Sequence, residues 1–172
     1  FARELKEKSH LNKSEAVIAF LEDREKSGFA NVSFAEFLDM LLLIDREDAR
    51  VTAVAKFCKI KNPPISHAAL IEDLERASST DAASLFAITY LREEKQRNNF
   101  ADINLAEFRA LLGKIIDYNK SRQKEMMLEF FAAKPDLIEG ENIFQITKCV
   151  TANATYPSSS IILTDIFAAN PD

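Results

Sequence analysis

The residue types that most often perform catalysis or bind metal ions are few in this sequence and far apart. Its two cysteines are Cys58 and Cys149, and its two histidines are His10 and His67. Zinc sites place such residues at spacings such as C-x-x-C or H-x-x-x-H, which do not occur here. A cysteine–histidine nucleophile would need the fold to join distant positions. The sequence therefore predicts two buried thiols, no metal site and no disulfide framework. We also expect a cytoplasmic rather than a secreted protein.

The glycines and the carboxylates also lack the arrangements that enzymes use. Only three glycines are present, and their spacing fits neither a phosphate-binding loop, a dinucleotide fingerprint nor a nucleophile elbow. Neighbouring carboxylates such as Glu93 and Glu94 point in different directions on a helix, so they form no shared acid–base site. A solvated charged face explains them, as it explains Glu22 and Asp23. We predict no catalytic residue, no cofactor and no enzymatic activity.

Composition restricts the partners. The chain has 172 residues, of which 47% are hydrophobic, and its 22 basic and 27 acidic residues give a formal charge of −5. A negative balance argues against tracking of nucleic-acid phosphates and favours a basic partner. No apolar run approaches the roughly 20 residues of a membrane-spanning helix. We therefore expect neither nucleic-acid binding nor membrane insertion.

Helices must position whatever site the chain has, because apolar residues recur at helical spacing along most of its length. Breaks in this pattern carry helix-start signals. Ser33 with Glu36 and Asn104 with Glu107 have capping-box spacing, and Ser66 and the Ser79-Thr80-Asp81 segment mark further starts. The pattern predicts eight helices and a C-terminal one, in an all-α fold.

An internal repeat organises these helices. Residues 29–37, Phe-Ala-Asn-Val-Ser-Phe-Ala-Glu-Phe, recur at 100–108 as Phe-Ala-Asp-Ile-Asn-Leu-Ala-Glu-Phe, with five of nine positions identical at an offset of 71. Each half has a second, weaker helix–loop–helix unit, at 57–70 and 130–143. Such self-similarity indicates a tandem duplication. It predicts an N-terminal lobe at 11–78, a C-terminal lobe at 79–152 and a tail helix within 153–172.

The repeated segment carries the pattern V/I-x-F/L-x-Glu-Phe, at Val32–Phe37 and at Ile103–Phe108. It resembles the exit from the loop of an EF-hand in the calmodulin and myosin-light-chain superfamily. There an aliphatic residue stands at loop position eight and a glutamate at position twelve, here Glu36 and Glu107. The resemblance covers about residues 12–152 and implies two lobes of paired helix–loop–helix units.

None of the four loops keeps the oxygen ligands that calcium needs at positions one, three, five and twelve, or the glycine at position six. The loops are Glu25–Glu36, Cys58–Ala69, Gln96–Glu107 and Phe131–Asn142. A phenylalanine stands at position five of the first and third loops, as Phe29 and Phe100, with an alanine at position six of each. The second loop contains lysines and prolines. The resemblance therefore implies degenerate EF-hands without a metal ion.

A light chain or adaptor clamps an amphipathic helix between its helices, and the resemblance implies this role without calcium. The small number of methionines favours one committed partner, and the acidic balance favours a basic helix of a motor or scaffold protein. The predicted groove residues are apolar side chains of both lobes: Phe37, Leu41, Leu42, Val51, Val54, Phe108, Leu111, Leu112, Met126 and Met127.

Three alternatives remain open. A short α-solenoid scaffold has repeats of about the same length, although the alternation of two unit types favours lobes. Weak calcium binding by the first or third loop would make the chain a sensor. The apolar stretch 158–167 can also form a helix that folds back into the second lobe as an internal ligand.

Overall fold

Helices make up most of the chain that the structure, a computed structural model, describes. The described residues are 10–61, 66–116 and 120–138, with Thr147, Val150, Leu163, Thr164, Ile166 and Ala168. These residues contain α-helices and one 3-10 helix but no strand. The predicted all-α class is confirmed.

Seven α-helices lie within these ranges, against the eight and a tail helix expected. They are α1 His10–Glu25, α2 Phe34–Leu41, α3 Glu47–Ile60, α4 His67–Glu75, α5 Thr80–Asn98, α6 Leu105–Leu112 and α7 Lys120–Ala133, followed by the 3-10 helix η1, Pro135–Ile138. The fourth predicted loop lies largely outside the described residues, as do residues 62–65 of the second.

Side-chain caps start these helices where the sequence predicted. The Oγ atom of Ser66 accepts a hydrogen bond from the backbone N–H of Ala69 at the start of α4, at 3.2 Å. At the start of α5 the Oγ atom of Ser79 accepts one from the N–H of Ala82, also at 3.2 Å. Such bonds satisfy N–H groups that have no partner inside the helix.

The chain divides into two compact units, Phe1–Glu93 and Glu94–Asp172, with the boundary inside α5. We refer to them as unit 1 and unit 2. Unit 1 contains α1 to α4 and most of α5, and unit 2 contains the end of α5, α6, α7 and η1. The lobe boundaries 11–78 and 79–152 remain a prediction.

Phenylalanine rings form the core of unit 1. Phe37 of α2 stacks on Phe57 of α3, with 4.0 Å between the ring centroids and 15° between the planes. Phe29 packs against Phe57 at 5.4 Å in a tilted arrangement, and Phe86 of α5 meets Phe37 edge-on at 6.2 Å. All four rings are buried, and such pairs add about 0.5–1.5 kcal/mol beyond their buried area.

Unit 2 has the same three-ring arrangement at the offset of the sequence repeat. Phe108 of α6 stacks on Phe130 of α7 at 3.9 Å and 8°, and Phe100 packs against Phe130 at 5.5 Å. Phe131 adds a fourth buried ring. The phenylalanines that the two repeats share therefore occupy equivalent places in the two cores.

The predicted tail helix is described only at single residues. Leu163, Thr164 and Ile166 are helical, and the Ile166 side chain is buried. The rest of 158–167 lies outside the described residues, so its place as an internal ligand stays a prediction.

Candidate functional site

The loops that follow α1 and α5 are the places where the implied EF-hands would bind calcium. In the first, Gly28 and Phe29 both have left-handed backbone conformations, with φ of 61° and 53°. The N–H groups of Gly28 and Phe29 donate to carbonyl groups of the last turn of α1, at 3.0 Å each. The turn places the Phe29 ring in the core, where it is 1% exposed.

The loop after α5 repeats this geometry 71 residues later. Asn99 and Phe100 have φ of 53° and 61°, and their N–H groups donate back to the carbonyls of Lys95 and Glu94. A non-glycine residue rarely takes this conformation, which costs about 1–2 kcal/mol. Burial of the Phe100 ring offsets that cost.

The glutamates at loop position twelve are engaged within their own helices. The Oε2 atom of Glu36 accepts hydrogen bonds from the backbone N–H and the hydroxyl of Ser33, at 2.9 and 2.8 Å. Glu107 accepts from the N–H of Asn104 at 3.0 Å. Both pairs are complete capping boxes, so each carboxylate closes the start of its helix.

The capping box also changes the acidity of Glu36. The Ser33 backbone N–H, then the Ser33 hydroxyl, and more weakly the Lys61 charge hold the pKa of the Glu36 carboxyl below its ordinary value of 4.5. Each of these groups favours the charged carboxylate. Glu36 is therefore ionised at neutral pH while it serves as a cap.

Two lysines donate to main-chain carbonyl groups of these loops. The ammonium of Lys61, just after α3, lies 2.7 Å from the carbonyl oxygen of Phe29 and 2.5 Å from that of Val32. Lys134, just after α7, donates to the carbonyl of Ala101 at 3.2 Å. The sequence interpretation missed both, although each lysine stands four residues after an equivalent phenylalanine.

The predicted groove residues occupy two kinds of place. Leu42 is 40% exposed and Val51 is half-buried. The others are at most 1% exposed and lie in the core of their own unit: Phe37, Leu41, Val54, Phe108, Leu111, Leu112, Met126 and Met127. A partner therefore has access only to Leu42 and Val51 of this set in the conformation described.

A cleft of about 140 Å³ in unit 1 is a further concave feature that the sequence did not indicate. Apolar side chains of α1, including Ile18 and Leu21, and the Phe29 ring line it, together with Ala49 and Ala53 of α3. Charged side chains of both signs complete the lining, namely Glu22, Arg46, Asp48 and Lys56.

Other residues considered for chemistry have structural surroundings. Cys58 is half-buried rather than buried, and the His67 ring meets the Tyr90 ring edge-on at 6.0 Å. Cys149 lies outside the described residues, as does the side chain of His10. Among the residues described, no three or more histidine, cysteine, aspartate or glutamate side chains are grouped to hold a metal ion.

The interpretation of Glu93 and Glu94 as part of a solvated face was wrong. Both are buried, with 6% and 3% exposure. Glu93 forms an ion pair with Lys59 at 3.2 Å, and Arg97 grips both carboxylate oxygens of Glu94 at 2.6 and 2.7 Å. A paired carboxylate can be buried because its partner replaces water, which a charge count along a helix does not reveal.

Comparisons with protein-family models, with curated proteins and with solved structures found no match for this chain. Within the described part of the chain no helix is both long and apolar enough to cross a membrane. The EF-hand resemblance therefore depends on the residues and geometry of the chain itself.

Proposed function

We propose that this chain is a calcium-independent protein-binding subunit, of light-chain or adaptor type, that holds an amphipathic basic helix of a motor or scaffold protein. The observation that supports it best is the state of the two described loops. Their geometry is maintained by groups of the chain itself, in a place where related loops would use a calcium ion.

Three features of these loops support independence from calcium. Glu36 and Glu107, the candidates for bidentate ligands, cap helices, and phenylalanine rings stand where the fifth ligand would be. The ammonium of Lys61 already lies on two loop carbonyls. A divalent ion would therefore have to displace a helix cap and a cation of like charge.

The proposed partner follows from charge and shape. The formal charge of −5 favours a basic partner and speeds its association. A helix that used the whole predicted groove would have to open both cores, because eight of the ten groove residues are buried. Such opening lowers the apparent affinity by the fraction of molecules that are open. Leu42 is the groove residue best placed for first contact.

The test measures binding of a fluorescent basic amphipathic helix to the full chain, in calcium and in chelator. A scrambled peptide of the same composition controls for charge alone. Calcium titration by calorimetry accompanies it. We expect no calcium heat, equal affinity in the two buffers and at least about tenfold weaker binding of the scrambled peptide, equivalent to about 1.4 kcal/mol.

Surface variants locate the contact without disturbing the core. Leu42→Glu should weaken peptide binding, whereas Ala35→Glu, which adds the same charge at another exposed position of α2, should not. Calcium-dependent binding would instead identify a sensor, and equal affinity for the amphipathic and scrambled peptides would contradict a helix-binding role.

A further inference from the structure

The Lys61 ammonium has the surroundings of a bound cation. It lies 2.7 Å from the carbonyl oxygen of Phe29 and 2.5 Å from that of Val32, and 5.6 Å from the centroid of the Phe57 ring. The lysine is half-buried. Two carbonyl dipoles and an aromatic face are groups that attract a cation.

The loop itself creates this arrangement. Phe29 is in the left-handed conformation, and the N–H of Val32 donates back to the Phe29 carbonyl at 3.0 Å. The resulting tight turn brings the Phe29 and Val32 carbonyl oxygens to the same ammonium, although the lysine is about 30 residues away in sequence.

Unit 2 contains a weaker counterpart. Lys134 lies 5.8 Å from the Phe130 centroid and donates to the Ala101 carbonyl alone, at 3.2 Å in an exposed position. Two units that share the same phenylalanine and the same following lysine therefore place an ammonium on the same loop. The recurrence argues that the contact is a feature of the repeat.

We infer that the turn formed by residues 29–32 is a cation-binding site made of main-chain carbonyl groups, which the chain fills with its own Lys61 ammonium. When that ammonium is removed, the site accepts a primary alkylammonium ion in its place. Lys134 is the weaker equivalent at the loop of unit 2. This inference does not depend on the proposed function.

Chemical rescue tests the inference on the full chain. Lys61→Ala removes the stem beyond Cβ together with the ammonium, and n-propylammonium is the missing piece. We expect the melting temperature Tm of the variant to fall by about 5–10 °C, the loss of two charge-assisted bonds in a domain of this size. Propylammonium at about 0.2 M, above the millimolar effective concentration of a short tether, should restore at least half of the fall.

Two controls separate the cation site from general effects of charge and salt. Lys59→Ala removes an exposed lysine from the same helix, and propylammonium should not change its Tm relative to the wild type. Tetramethylammonium carries the charge but no N–H donor and should rescue neither variant. Equal rescue by the two salts, or none by propylammonium, would overturn the inference.

Hydrogen exchange provides a local measurement and does not depend on a large change in Tm. Lys61→Ala should raise amide exchange at residues 26–33 without changing 99–104, and Lys134→Ala should do the reverse with a smaller effect. Lys61→Arg, which keeps a cation, should leave residues 26–33 protected. Uniform acceleration throughout a unit in these variants would contradict a local site.

Discussion

The side-chain amide of Gln123 donates from Nε2 to the carbonyl oxygen of Ile115 at 2.6 Å, and it also reaches the carbonyl of Leu112 at 3.2 Å. These carbonyls lie at and just after the end of α6, where the helix offers them no donor. In unit 1 the guanidinium of Arg50 donates to the Ile44 carbonyl at 3.1 Å. In each unit the chain after the second helix is thus held by a side chain of the next long helix.

Replacing Gln123 tests this contact. Gln123→Met keeps a side chain of similar length but leaves the two carbonyls buried without that donor, which costs about 1–3 kcal/mol. The Oε1 atom of the same amide is buried without a donor among the described groups, so its removal should hold the loss to about 1–2 kcal/mol. Urea unfolding of the full chain measures it. Arg122→Met, which removes a partly exposed ion pair with Glu125, should cost less than about 1 kcal/mol, and an equal loss would contradict the argument.

The stacked rings of Phe37 and Phe57 should be energetically coupled. Phe37→Leu is expected to destabilise the chain by about 1–3 kcal/mol, because it removes buried ring atoms and the stacked pair. A double-mutant cycle with Phe57→Leu should give a coupling of about 0.5–1.5 kcal/mol. The cycle of Phe34→Leu with Phe57→Leu should give less, since those centroids are 6.2 Å apart and Phe34 is only half-buried. Additive losses for Phe37 and Phe57 would show that the stack contributes nothing beyond burial.

Local signals in the sequence predicted the local structure well. The Ser33–Glu36 and Asn104–Glu107 spacing predicted two helix starts, and both capping boxes are present. Such signals work because the hydrogen-bonding groups lie within one helical turn. The offset of 71 residues likewise connects positions that have equivalent geometry in the two units.

Contacts between distant segments could not be predicted in this way. Helical spacing marks Phe37 and Leu42 as parts of one apolar face, but only packing decides that the first is buried and the second exposed. The left-handed conformation of Phe29 is hidden for a similar reason, since phenylalanine has no preference for it. The Lys61 contact was accessible in principle, because alignment of 57–61 with 130–134 pairs two lysines.

Acid should weaken the contribution of one helix cap but not of another. Ser33→Ala and Ser66→Ala should each cost about 1 kcal/mol at pH 7, the usual value of an N-cap. The pKa of Glu36 is lower in the folded chain than its ordinary 4.5, mainly through Ser33. Its contribution is therefore present above pH 4.5 and disappears as the pH falls through the folded pKa. The loss in Ser33→Ala should shrink between pH 7 and pH 3.

Ser66 is the matched control because the third residue of its helix is Ala69, which has no carboxylate. The loss in Ser66→Ala should be the same at both pH values. Urea unfolding of both variants beside the wild type at each pH gives the comparison. A parallel change in the two variants would mean that Glu36 does not couple to its cap.

The conformation of the first loop can be tested with one substitution at two glycines. Gly28 has a φ of 61°, so Gly28→Ala forces a Cβ into the left-handed region and should destabilise the chain by about 1–2 kcal/mol. Gly113 has a φ of −65°, and a Cβ there would meet backbone oxygens at 3.4 and 3.5 Å, ordinary contact distances. Gly113→Ala should therefore be neutral or stabilising by up to about 1 kcal/mol, since alanine restricts the unfolded chain. Equal effects in thermal unfolding would contradict the left-handed turn, and with it the geometry that brings the Phe29 carbonyl to Lys61.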